Sequence, residues 1–254
     1  MLPLLNEKEQ YVINLLIEDP TIGVSELAEY LSVSAVTMRS YLNGLSEKGY
    51  LYRVHGGAVP TIHPAIVERD QVGQEQKRAI ARAAAGLVLD GDTIMIEAGT
   101  TTAMIVRFLL GTRDVSVVTN NTLALAHARG NPGLRVHVVG GEFRPATESV
   151  VGPMALSFLE RFHVSVAFVG TDGFSVSKGL TTHLVEGAEI VIRMAQQADR
   201  VVAVADSTKL GREGFVRVLP LDRLDTIITD DAIDPAAASE IRELGVELIT
   251  VAPE

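Results

Sequence analysis

Residues 92–102 read DTIMIEAGTTT. The run Thr93–Ile96 has the apolar, β-branched character of a buried strand. Glu97 follows this run, Gly99 permits a tight turn, and three threonines then lead into an apolar helical pattern. A helix N-terminus with free N–H groups suits an anion, and a neighbouring carboxylate suits sugar hydroxyls. The stretch is therefore either a phosphate-binding loop or an ordinary strand-to-helix turn with a threonine cap.

The same order of elements recurs from Lys77 to the end of the sequence. Apolar, strand-like runs alternate with helical patterns, and the runs after the first lie at 115–118, 135–139, 164–169, 201–205, 226–229 and 247–251. Such alternation predicts a mostly parallel sheet covered on both faces, which is a Rossmann-like α/β domain over residues 77–254.

Small and polar residues follow directly after these predicted strands. In an open parallel sheet such positions gather at the carboxyl edge, where ligands bind. Each residue alone is a turn residue by default, but several together favour a site. The candidate effector-binding residues are Glu97, Gly99, Thr100, Thr101, Thr102, Asn120, Gly140, Gly141, Gly170, Asp206 and Lys209.

Three of these side chains have a predicted role. Lys209 could pair with a phosphate group, and Asp206 could hold a hydroxyl group or orient Lys209. Asn120 could donate a hydrogen bond to the ligand.

The first 59 residues have a different pattern. Three short helices are predicted, of which the third is capped by Ser34 and turns Met38, Tyr41, Leu42 and Leu45 inward. A Gly-Gly pair at 56–57 then marks a hairpin. Three small helices and a hairpin predict a winged helix-turn-helix over residues 1–59.

In such a module the N-terminal end of the third helix enters the major groove of DNA, and the wing follows phosphates. Lys48 is a further candidate for a backbone contact. The region carries four basic and seven acidic side chains, a net charge of −3, so a helical module that docks protein remains an alternative. The candidate DNA-binding residues are Ser34, Thr37, Arg39, Ser40, Asn43, Arg53 and His55.

Residues 60–76 are polar and contain two prolines, which predicts a solvated linker between the two domains.

Composition narrows the function classes. The sequence has 254 residues, 47% of them hydrophobic, a net charge of −10 and a pI of about 5.1. It contains no cysteine, which excludes disulfides and thiol catalysis. Neither a bilayer-spanning apolar run nor the layout of a signal peptide is found, so we expect a cytoplasmic protein without a membrane partner. No metal-ligand spacing and no nucleotide-binding glycine motif is found either, so no metal or cofactor is predicted.

The segment Val24–Val59 resembles the DNA-binding head of the DeoR family of bacterial transcriptional regulators. The resemblance is strongest at Val33-Ser34…Thr37-Met38-Arg39 and at Arg53-Val54-His55-Gly56-Gly57-Ala58. The remainder resembles the sensor domain of the same family, which is similar in fold to ribose-5-phosphate isomerase and the coenzyme A transferases. The matching segments there include Gly99-Thr100-Thr101, Val118-Thr119-Asn120, Gly140-Gly141, Phe168-Val169-Gly170 and Asp206-Ser207-Thr208-Lys209.

The resemblance implies a homodimeric or homotetrameric repressor of a carbohydrate operon. It would leave its operator DNA when a phosphorylated sugar or polyol binds near Gly99–Thr102 and Lys209. Two departures stand out. The family usually follows its first arginine with a second arginine or a serine and then an aspartate, where Ser40-Tyr41 stands here, and it usually has an aspartate where Glu97 stands. The operator sequence and the sugar are therefore left open.

Two other classes are alternatives. A sugar-phosphate isomerase could use Glu97 or Asp206 as its base, but it leaves the first 59 residues without a purpose. A redox sensor that joins a winged helix to a nucleotide-binding domain lacks the glycine fingerprint.

Overall fold

A computed structural model describes residues 5–19, 21–61 and 63–253. The chain forms two compact units. The smaller comprises Met1–Val72 with Pro145–Thr147, and the larger comprises Gly73–Arg144 with Glu148–Glu254.

The smaller unit is a three-helix module with a hairpin. Asn6 and Glu9 form a reciprocal capping box at the start of the first helix, and Ser34 caps the third. The buried side chains on these helices recur three and four residues apart, as for Met38, Leu42 and Leu45, and they meet in one core. The elements are α1 Glu7–Glu18, α2 Val24–Tyr30, α3 Ala35–Glu47, β1 Leu51–Val54 and β2 Gly57–Pro60.

The hairpin is fixed by its glycines. Val54 pairs with Gly57, so His55 and Gly56 form the two-residue turn, and Gly56 has a φ of 79° that glycine adopts without strain. The carbonyl of Gly56 accepts a hydrogen bond from Val24 N–H at 3.0 Å, which ties the hairpin to α2. The fold predicted for this region, a winged helix-turn-helix, is thus present.

The prediction of a solvated linker over residues 60–76 is wrong in its local structure. Pro64–Gln71 form a helix, α4, on which Ile66 and Val67 are 3% and 2% exposed. Proline is typical of loops, but it also fits the first turn of a helix, where its missing N–H would have no intrahelical partner, and Pro64 stands there. The division between the two compact units follows Val72, inside this stretch.

The larger unit is built on a seven-stranded sheet whose strands are all parallel. Its strands are β3 Thr93–Ile96, β4 Val115–Thr119, β5 Leu134–Val138, β8 Val164–Val169, β11 Ala198–Val204, β13 Thr226–Asp230 and β14 Glu247–Val251. Its helices are α5 Gln74–Ala85, α6 Thr100–Phe108, α7 Thr122–Ala128, α8 Pro153–Leu159, α9 Val185–Gln196 and α10 Pro235–Glu243.

Both faces of this sheet are buried, as the βα alternation predicts. On β3, Ile94 and Ile96 join the core cluster that includes α5 and α6, whereas Met95 joins the cluster that includes α8 and α9. Alternate side chains of a strand point to opposite faces, so full burial of all three requires a layer of helices on each side.

The strand order is β14-β13-β11-β8-β3-β4-β5. From β3 the chain runs outward through β4 to β5, and it then returns to place β8 on the other side of β3. The strand order therefore reverses between β3 and β8, and an open α/β sheet binds its ligands beside the carboxyl ends of the strands at such a point.

Short antiparallel strands were not predicted. A hairpin joins β6 Glu142–Arg144 to β7 Ser149–Val151, and a second sheet has the order β12-β10-β9, with β9 Gly173–Ser175, β10 Gly179–Thr182 and β12 Val216–Arg217. These strands have only two to four residues, too few for a hydrophobic period to show. Within the residues that the structure describes, no helix is long and apolar enough to cross a membrane.

Candidate functional site

The loops after β3 and β8 meet where the strand order reverses. The N–H of Gly170 donates to Glu97 Oε2 at 3.0 Å, and the Glu97 side chain is buried. A Cβ at position 170 would lie 3.2 Å from that carboxylate oxygen, so glycine allows the close approach. The structure therefore brings together two of the predicted site residues, one on each side of the crevice.

The N-terminus of α6 lies in the loop after β3. Gly99 is its N-cap and supplies no side-chain cap. Thr102 is fully buried, and its hydroxyl donates to Gly99 O at 3.0 Å, so this threonine supports the loop. Thr100 and Thr101 are half-buried, which leaves two hydroxyls and the N–H groups of the first turn as the donors that an anion would meet.

Asn121, which sequence reasoning missed, holds this loop in place. It is 1% exposed, and its Nδ2 donates to Glu97 O at 3.1 Å, to Gly99 O at 2.9 Å and to Thr102 Oγ1 at 3.3 Å. Its Oδ1 accepts from the N–H groups of Leu123 and Ala124, so it also caps α7. An asparagine directly before a helical pattern is an N-cap signal that could have found it.

Asn120, which was predicted to donate to the ligand, lies beside this loop but donates elsewhere. Its Nδ2 binds Val150 O at 3.2 Å, and the residue is 2% exposed. Its Oδ1 is buried and has no hydrogen-bond partner within the described residues. The Asn120 amide therefore leaves a buried acceptor unpaired within the described residues, and its bond to Val150 O uses one of its two N–H groups.

Gly140 and Gly141 follow β5, which β4 separates from β3. A Cβ at position 141 would lie 2.6 Å from Val151 O. Close packing against the hairpin β6–β7 therefore accounts for a glycine at position 141. Gly140, in contrast, has open space around it.

The loop after β11 lies next to that after β8 in the sheet order. Asp206 accepts from Thr208 N at 3.1 Å and from the Thr208 hydroxyl, so its side chain caps a short 3₁₀ turn over Ser207–Lys209 and does not orient Lys209. Asp230 fixes the same turn from β13, accepting from the N–H and hydroxyl of Ser207 at 2.6 and 2.8 Å. Lys209 is half-buried and forms no ion pair with any described carboxylate.

On the smaller unit, α3 presents an exposed polar face. Thr37, Arg39, Ser40 and Asn43 are all exposed. Ser34 is exposed too, but its hydroxyl accepts from Thr37 N at 3.1 Å and lies 2.9 Å from Thr37 Oγ1. Ser34 is therefore the helix cap, and the side chains beyond it supply the contact surface.

The wing carries the two remaining DNA-binding candidates. His55 is exposed at the turn, and Arg53 is half-buried with its Nη1 lacking a partner within the described residues. The prediction that Lys48 touches the DNA backbone conflicts with its contacts, because its Nζ lies 2.7 and 2.8 Å from the two carboxylate oxygens of buried Glu9. Lys48 thus ties the end of α3 to α1.

A family model described as the DeoR-like helix-turn-helix domain matches residues 9–61, and one described as the DeoR C-terminal sensor domain matches residues 73–231. The sequence is 35% identical over 250 residues to the HTH-type transcriptional regulator GlpR of Haloferax volcanii, covering 96% of each protein. It is 31% identical over 248 residues to the HTH-type transcriptional repressor CsqR of Escherichia coli K12, covering 96% of this chain and 95% of that protein. A D-ribose-5-phosphate isomerase structure aligns over 54% of each chain with 17% identity and a TM-score of 0.41, a likeness too slight to bear on function.

Proposed function

The chain belongs to the DeoR family of transcriptional regulators, and from that premise we propose that it represses genes of carbohydrate metabolism. In this proposal the smaller unit binds operator DNA. The protein leaves the operator when a phosphorylated sugar or polyol binds to the larger unit. Family membership favours a regulator over the isomerase-like enzyme and the redox sensor.

The exposed face of α3 supports the DNA-binding part of the proposal. It combines the cation of Arg39 with the short polar side chains of Thr37, Ser40 and Asn43, which are suited to contacts with phosphates and base edges. On the wing, half-buried Arg53 and exposed His55 would supply the contacts to phosphates.

The observation that carries the effector part is the meeting of Glu97 and Gly170 where the strand order reverses. The α6 N-terminus beside it offers N–H groups and a dipole to a phosphate, while the carboxylate of Glu97 would suit sugar hydroxyls. Lys209 follows the strand next to β8 and would add a cation.

Release by the effector requires a coupling between the two sites. A ligand shifts an equilibrium only by the difference between its affinities for the two states. The effector must therefore prefer a state of the protein that binds operator poorly, and we propose a homodimer or homotetramer as the binding form.

The test is a fluorescence anisotropy titration on the DNA upstream of the protein's own gene, with and without a panel of phosphorylated sugars and polyols. We expect salt-sensitive binding that one member of the panel weakens and that its unphosphorylated counterpart leaves unchanged. Binding that the panel strengthens would make the effector a co-repressor. A lack of binding in every condition at low salt would refute the operator-binding role.

A further inference from the structure

The face of α3 that points away from the core contains an apolar residue outside the predicted DNA-binding set. Positions 36, 40, 43 and 47 are spaced by four, three and four residues, so they share one side of the helix. Met38, Leu42 and Leu45 lie on the opposite side and are fully buried. Val36 is therefore central on the outward face, and it is 74% exposed.

Val36 is also near the end of α3 that would enter DNA. It is the second residue of the helix, whereas Glu47 is the last residue and lies on the same face. At about 1.5 Å of rise per residue, the two are about 16 Å apart along the axis. A recognition helix inserts by its N-terminal residues, so the valine meets the base edges while the acidic residue stays away from the groove.

The fold gives no reason for a valine at this position. A β-branched side chain loses rotamer freedom in a helix, and one this exposed buries little apolar surface in return. The neighbouring hydroxyls of Ser34 and Thr37 lie 2.9 Å apart and are used in the cap. The first turn of α3 thus presents a methyl-bearing surface beside its hydrogen-bonding groups.

In the major groove only thymine presents a methyl group, and aliphatic side chains recognise it by apolar contact. We infer that Val36 contacts the 5-methyl group of a thymine in each operator half-site and so contributes to sequence preference. This inference rests on the proposed operator binding. It adds a specificity contact that neither charge nor hydrogen bonding supplies.

The experiment begins with duplexes that the full-length protein selects from a random-sequence pool. Each thymine of the selected site is replaced in turn by deoxyuracil, which lacks only the methyl group, and affinity is measured by anisotropy. For the wild-type protein we expect that deoxyuracil weakens binding about fourfold at one thymine position in each half-site. This is the effect of losing the burial of one methyl-sized group. Val36→Ala removes the contact in both half-sites, so it should bind the unmodified site about sixteenfold more weakly, and it should show no further loss with deoxyuracil at that position.

Val72→Ala is the matched control, because Val72 is 60% exposed in the same unit but follows α4 and lies off α3. It should keep the full response to deoxyuracil, and both variants should unfold at the wild-type temperature or slightly above it. A wild-type protein that responds to no replacement, or a Val36→Ala protein that keeps the same response, would overturn the inference. Failure to enrich any sequence would instead refute operator binding, and with it the contact.

Discussion

Replacing Asn121 by alanine tests whether the proposed effector loop is held by one buried side chain. Asn121 is 1% exposed and bridges the loop after β3 to the start of α7. Alanine removes its hydrogen-bonding groups without inserting bulk. We therefore expect both a less stable larger unit and a weaker response to the effector.

The size of the effect follows from the bonds that are lost. Loss of an N-cap costs about 1 kcal/mol. The carbonyl groups of Glu97 and Gly99 would each lose a donor, now at 3.1 and 2.9 Å, at about 1 kcal/mol apiece. The free energy of unfolding should thus fall by about 2–4 kcal/mol. Without Asn121, at least one loop residue would have to be ordered when the effector binds. The conformational entropy lost by ordering that residue should weaken effector binding about tenfold.

Asn131 provides the matched control. It is 6% exposed, donates to Leu109 O at 2.9 Å and accepts from Gly133 N at 3.0 Å, but it lies before β5, at the opposite edge of the sheet. Asn131→Ala should lose stability and leave the effector response unchanged. Because the chain has no tryptophan, urea unfolding is followed by far-UV circular dichroism, and the response by release from DNA. An Asn121→Ala loss below about 0.5 kcal/mol, the size of an ordinary surface change, would refute the reasoning.

Three further substitutions test single contacts. Arg39→Ala should reduce specific DNA affinity by about 1–3 kcal/mol in anisotropy titrations; an unchanged affinity would place the reading surface elsewhere. Lys209→Ala should keep operator binding and abolish release by the effector, and loss of both would contradict the division of roles. Lys48→Met should lower the free energy of unfolding by about 1–3 kcal/mol, because Glu9 would stay buried with the Asn6 N–H as its one remaining donor among the described residues. Urea unfolding measures this loss, and a variant as stable as the wild type would show that the ion pair is dispensable.

Periodicity made most of the fold predictable. Met38, Leu42 and Leu45 mark the inner face of α3 because residues three and four apart share one side of a helix. On β3, Ile94, Met95 and Ile96 are all apolar because both faces of the strand are covered there. These signals are local, so a sequence carries them without reference to the rest of the fold.

The contacts that depend on distant partners were not predictable. Lys48 and Glu9 are 39 residues apart, and only the folded module shows that they pair. Asn120 is singled out from the sequence as a ligand donor because it directly follows a predicted strand. The role of Asn121 depends on hydrogen bonds to Glu97 and Gly99, which are 24 and 22 residues earlier in the chain.

The ion pair between Lys48 and Glu9 also limits how tightly one smaller unit, or head, can bind DNA. With Lys48 held by Glu9, the permanent cations at the proposed DNA surface reduce to Arg39 and Arg53. About two phosphate contacts per head give a slope of log affinity against log salt of about −2, and two heads give about −4. So shallow an electrostatic contribution in a protein of net charge −10 argues for binding by more than one head. A slope near −2 for the protein bound to its full operator would refute this argument, and a slope near −4 that falls to about −2 on an isolated half-site would support it.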